Sequence, residues 1–67
     1  MQIKVNGNKQ SFDDEQLNVV ELLERMKYTS PGIVVKHNGV LINEDAFEKA
    51  CIKDGDEVLV IHLFAGG

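Results

Sequence analysis

Asn18-Val19-Val20-Glu21-Leu22-Leu23-Glu24-Arg25-Met26 carries the clearest local signal in the chain. The Asn18 side chain can accept from a free amide of a first helical turn. Glu21, three residues on, can reach back to the Asn18 amide and complete a capping box. Leu17 and Leu22 occupy the staple positions around that cap. Val19, Leu22, Leu23 and Met26 recur at helical spacing as one apolar stripe, and Glu21, Glu24, Arg25 and Lys27 fall mostly away from it. Ser30-Pro31-Gly32 prevents continuation, because proline lacks an amide donor and restricts the residue before it.

The segments on either side of this helix read as strands. Towards the amino terminus, Ile3 and Val5 alternate with Gln2, Lys4 and Asn6. Asn6-Gly7 tolerates positive φ and marks a tight hairpin, with Lys9 to Phe12 as the returning strand. Asp13-Asp14-Glu15 is a solvated loop. Towards the carboxyl terminus, Ile33 to His37 is β-branched at its start, Asn38-Gly39 is a second hairpin turn, and Val40 to Ile42 pairs back. Asn43 is placed to cap a short helical turn over Glu44 to Ala50. Asp54-Gly55-Asp56 is a turn, and Glu57 to Phe64 is the last and most apolar strand.

One helix between two hairpin-like pairs predicts an α+β domain, with the helix on one face of a mixed sheet. The element order is ββαββ, a turn, and β. The first and last strands are both apolar and therefore both central, which is the β-grasp (ubiquitin-like) arrangement. The last strand is apolar on both sides: Val58 and Val60 on one, Leu59, Ile61 and Leu63 on the other. A single helix covers one sheet face only. The surplus set is thus either covered by the Glu44 to Ala50 segment or left as an exposed patch, the usual mark of an interaction site.

Composition bounds the function. With 67 residues the chain forms one domain that buries only about 60% of its unfolded surface, enough for one modest core and little for a catalytic cleft. It is 43% hydrophobic and 27% charged, with a net charge of −4, a mildly acidic balance ill-suited to binding nucleic acid. One cysteine excludes an intrachain disulfide and fits a reducing cytosol. Neither a signal peptide nor a membrane span is expected, which places the protein in the cytoplasm; it is expected to be a monomer when free. Cys51 reads as a buried hydrophobe, and His37 and His62 as surface or strand-edge residues. No calcium-loop, zinc, nucleotide-binding or hydrolase pattern is present, so no metal and no catalytic residue is expected.

The chain ends Leu63-Phe64-Ala65-Gly66-Gly67. Residues 64–67 are expected to form a flexible tail on a 1–63 domain. Glycines without β-carbons can enter a narrow channel, and four extended residues reach at most about 14 Å. The reactive group at the tip would be the α-carboxylate, which needs activation to become electrophilic. On local grounds a merely frayed end is as good a reading.

The tail, together with Asp54-Gly55-Asp56-Glu57-Val58, Met1-Gln2-Ile3, Val20-Glu21-Leu22-Leu23, Val40-Leu41-Ile42 and the overall length, resembles the thiamin-biosynthesis sulfur carriers of the ThiS type. The resemblance implies a carrier rather than an enzyme. An E1-like adenylating enzyme would consume ATP to activate Gly67, and the carrier itself would bind no cofactor. A persulfide donor of the cysteine-desulfurase type would convert Gly67 to a thiocarboxylate, and thiazole synthase would accept the sulfur. Gly66 would provide clearance, with Ala65 and Phe64 completing the tail. Ubiquitin-like packing would turn Val58 and Val60 to the helix and leave Leu59, Ile61 and Leu63 facing partners. The alternatives are a molybdopterin-synthase-type sulfur carrier, a ubiquitin-like protein modifier, and a passive binding module.

Overall fold

Two tight hairpins, both turning on Asn-Gly, supply four of the five strands of the main sheet. The computed structural model of the protein describes residues 1–28 and 32–63. In it β1 (Gln2–Val5) pairs antiparallel with β2 (Asn8–Ser11). Asn6 and Gly7 hold φ of 52° and 83°, as a two-residue turn matched to strand twist requires. The returning strand lies one residue earlier than Lys9 to Phe12, because the two-residue turn puts Asn8 directly opposite Val5.

The helical segment begins with β3 (Gln16–Asn18) and continues as α1 (Val19–Met26). The capping box is complete: the Glu21 amide donates to Asn18 Oδ1 at 2.8 Å, and the Asn18 amide donates to Glu21 Oε1 at 3.0 Å. The helix stops before the expected breaker. Lys27 takes the left-handed conformation (φ 61°), and the Tyr28 amide reaches back to the Leu23 carbonyl at 2.9 Å. Of Ser30-Pro31-Gly32, only Gly32 falls within the described residues.

The second hairpin joins β4 (Ile33–His37) to β5 (Val40–Ile42) through Asn38-Gly39, again with positive φ at both residues. A 3-10 turn at Glu44–Ala46 replaces the longer helical turn expected to Ala50, and Asn43 makes no side-chain cap bond. Then come β6 (Cys51–Lys53) and β7 (Glu57–His62). The sheet order is β2-β1-β7-β4-β5; β1 and β7 are parallel and every other pair is antiparallel. Both β1 and β7 are interior, as their apolar content requires. This is a β-grasp sheet.

Each turn asparagine does a second job. Asn6 Oδ1 accepts from the Val60 amide at 2.7 Å, and Asn38 Oδ1 accepts from the Glu57 amide at 2.8 Å. The two turns therefore hold β7 from both flanks, satisfying amides that would otherwise lack ladder partners.

β3 and β6 form a separate two-stranded sheet, in register Leu17↔Ile52. Leu17 and Ile52 join Ile3, Val5, Val19, Leu22, Val35 and Val58 in the core. Phe47 enters the same core, and its carbonyl accepts from the Val19 amide at 3.1 Å. The segment after β5 therefore packs with the helix, and the opposite face of the sheet stays open.

Candidate functional site

Strand alternation decides which side chains reach that open face. β7 reads exposed, buried, exposed, buried. Val58 and Val60 are 1% and 5% exposed, whereas Leu59 is 42%, Ile61 37% and Leu63 61% exposed. The expected surplus set is thus on the surface. Its neighbours follow from register: Ile61 lies opposite Val34, and Leu59 opposite Lys36, which itself lies opposite Leu41 on β5. Leu41 is 56% exposed. Leu59, Ile61, Val34 and Leu41 thus form a two-dimensional apolar patch rather than a single stripe. Sequence reasoning singled out β7 alone. The Asn38-Gly39 turn carried the missing information, since a two-residue turn fixes His37 opposite Val40 and hence Lys36 opposite Leu41.

At the exit of β7 the Leu63 amide donates to the Gly32 carbonyl at 3.0 Å, so the backbone is still tied down where the described residues end. His62, at the last position of β7, meets Tyr28 edge to face with ring centroids 5.3 Å apart. The expected tail residues Phe64, Ala65, Gly66 and Gly67 lie outside the described residues.

Two side chains differ from expectation. Cys51 is half-buried, not buried, because it is an end residue of the short β6, opposite the helix-capping Asn18. His37 is neither on an edge strand nor freely exposed. β4 lies between β7 and β5, and His37 Nε2 donates to Asp56 Oδ2 at 2.6 Å. Asp56 Oδ2 also accepts from the Lys53 amide at 2.9 Å, so this carboxylate ties the turn before β7 to β4. Burial raises the Asp56 carboxyl, but hydrogen bonds from His37, the Lys53 amide and Asn38, together with the charge of His37, outweigh it. The net result is a value below the ordinary 3.8. A carboxyl lowered in the folded state contributes stability that is complete above the ordinary value and is lost as pH falls through the folded one. Asp56→Asn should therefore be less stable than the parent at neutral pH, with the gap closing as pH falls below 3.8. Urea midpoints across that range check this, and a pH-independent gap would show that the charge of Asp56 contributes nothing.

Among the described residues no group of three or more His, Cys, Asp or Glu is placed to hold a metal, and no helix is long and apolar enough to cross a membrane. The candidate site is thus an exposed apolar sheet face whose central strand, β7, ends at His62, five residues before the end of the sequence.

The ThiS family model matches residues 2–67. The chain belongs to the ThiS family. Its backbone is similar to the crystal structure of a thiamine biosynthesis protein (ThiS) from Geobacter metallireducens, at 36% identity and a TM-score of 0.88, with all of both chains covered. It is also similar to an NMR solution structure of a thiamine biosynthesis protein from Geobacter metallireducens, at 36% identity and a TM-score of 0.82, covering all of this chain and 88% of the other. A comparison with curated protein sequences gives no match. The ThiS-family match extends through Gly66 and Gly67, so it includes the last four residues as well as the described strands and helix.

Proposed function

We propose that this ThiS-family chain is a sulfur carrier of thiamin biosynthesis whose working group is the carboxylate of Gly67. Family membership and two thiamine-biosynthesis neighbours support the carrier role. The observation that carries the finer reading is the continuity of β7 with the tail. Leu59 and Ile61 lie exposed on β7, and exposed Leu63 follows the strand immediately before Phe64-Ala65-Gly66-Gly67. A partner seated on the open face therefore lies beside the point where the sequence passes from Leu63 to its last four residues.

The chemistry follows from the group at the tip. A carboxylate is a poor electrophile, so an E1-like adenylating enzyme joins it to AMP at the expense of ATP. The outer sulfur of a persulfide donor of the cysteine-desulfurase type then displaces AMP to give an acyl disulfide, and a partner thiol attacks the donor's sulfur, leaving a disulfide on the partners and releasing Gly67 as a thiocarboxylate. The softer sulfur is a good nucleophile, suited to transfer within thiazole synthase. The carrier contributes docking, reach and a β-carbon-free tip, while the catalytic groups belong to its partners.

Incubation with the cognate adenylating enzyme, ATP and a persulfide source should add the mass of one oxygen-for-sulfur exchange, mapped to Gly67 by intact-protein and fragment mass spectrometry. An unchanged mass with a demonstrably active enzyme and donor would sink the carrier reading. Amide conjugates to lysines of other proteins would replace it with a modifier.

A further inference from the structure

Charge is distributed unevenly over this small protein. The open face carries Lys4 on β1, Lys9 on β2 and Lys36 on β4, and the one carboxylate that the described strands add to it is Glu57 on β7. The chain as a whole has 11 acidic residues against 7 lysines and arginines. The open face is therefore basic on an acidic protein.

Two of these lysines are placed at a cost. Lys4 and Lys9 are direct cross-strand partners, and neither makes an ion pair among the described residues. Like charges directly opposite on one face destabilise an antiparallel pair. A domain this small has little stability to spare. Glu57, in register with Lys4 on β7, offsets one of the two charges, so the cluster keeps one excess positive charge.

Their position gives that charge a direction. Lys4 is in register with Glu57 at the start of β7, whereas the tail departs beyond Leu63 at the other end. Six residues of extended chain place the two ends roughly 20 Å apart. Lys36 stands between them, beside Leu59 and Leu41. A shallow recess of about 380 Å³ opens among Lys4, Lys9, Asp56 and Glu57, and the Asp56 carboxylate is engaged by His37 and the Lys53 amide.

We infer that the open face binds a protein surface that presents an apolar strip beside the point where the tail enters and a carboxylate cluster roughly 20 Å away, facing Lys4 and Lys9. This rests on the carrier reading and adds an orientation to it. An apolar patch can be seated either way round. A cluster of opposite charge at one end selects the docking in which the tail points at the partner's active site, and it speeds the encounter. A second copy of the chain does not fit, because its own open face offers one carboxylate for three lysines.

The test is association kinetics with the cognate E1-like adenylating enzyme, without ATP, at low and high salt. The parent on-rate should fall steeply as salt rises. Lys4→Glu/Lys9→Glu should associate about tenfold more slowly at low salt and converge with the parent at high salt, with little change in off-rate. Lys49→Glu makes the same charge change as Lys9→Glu alone, in a turn off the face, and should leave the on-rate unaltered. Lys9→Glu alone turns a like-charged pair into an opposite one, so its Tm should rise as its on-rate falls, which excludes misfolding as the cause. If the double variant associates as fast as Lys49→Glu at low salt, the charged docking is overturned, even where Leu59→Asp abolishes binding and the apolar contact stands. If Leu59→Asp and Ile61→Asp also bind normally, the docking face itself is overturned.

Discussion

Gly67→Ala is expected to cut thiocarboxylate formation at least about a hundredfold, on the scale that an ångström of misplacement costs a positioned reaction, while the folding transition stays where it is. The reacting carbon belongs to residue 67 itself, so an added methyl sits next to the bond being made. It also restricts backbone angles that only glycine adopts freely. One residue added after Gly67 should be equally damaging, because it moves the carboxylate on by up to about 3.6 Å and buries the former terminus in an amide. Among the described residues the core runs from Ile3 to Val60, so neither change is expected to alter Tm. Single-turnover assays that follow pyrophosphate release and the mass of the carrier separate the steps. Normal adenylation with failed sulfur transfer would place the narrow passage in the second step, and normal rates for both steps would remove the steric account altogether.

The parts of the fold legible in the sequence were those with a local mechanism. Asn6-Gly7 and Asn38-Gly39 each announce a two-residue turn, and each turn fixes the register of the strands it joins. Asn18 and Glu21 announce the start of the helix three residues apart. What stayed hidden lacked such a signal. β3 and β6 have three residues each and bury one side chain apiece, Leu17 and Ile52. Alternation over three residues is no pattern, and the partner strand lies far along the chain. The apolar stripe closed on Met26, the last residue of the helix, but the device that ends it was hidden, because Lys27, not glycine, takes the left-handed position, and tertiary packing of Tyr28 against the core overrides its mild strain. The candidate site was half legible. Surplus apolar residues on β7 were visible as a pattern, but Leu41, Val34 and the basic flank emerge only when register is laid across five strands.

Ile52→Ala should show how much that hidden pair of strands contributes. Ile52 is fully buried, pairs with Leu17 and stands in the same cluster as Leu22, Val35 and Val58. Truncating a buried isoleucine to alanine costs about 2–5 kcal/mol, because transfer free energy is lost and a cavity is left. A domain of this length has a total of roughly 3–10 kcal/mol to lose. Each kcal/mol lowers Tm by about 4–8 °C at this size, so a fall of well over 10 °C is expected, with partial unfolding at 37 °C if the parent lies at the low end. Ile61→Ala is the informative contrast. Ile61 on β7 has the same side chain, yet it is 37% exposed on the open face. Surface truncations away from special features change stability by only about 0.5 kcal/mol. Ile61→Ala should therefore unfold almost where the parent does and lose affinity for the adenylating enzyme, whereas folded Ile52→Ala should keep its affinity. Urea denaturation and binding measured on the same two variants decide the matter. Equal stability losses would mean that Ile61 is part of the core, and an unshifted Ile52→Ala midpoint would mean that β3 and β6 merely decorate it.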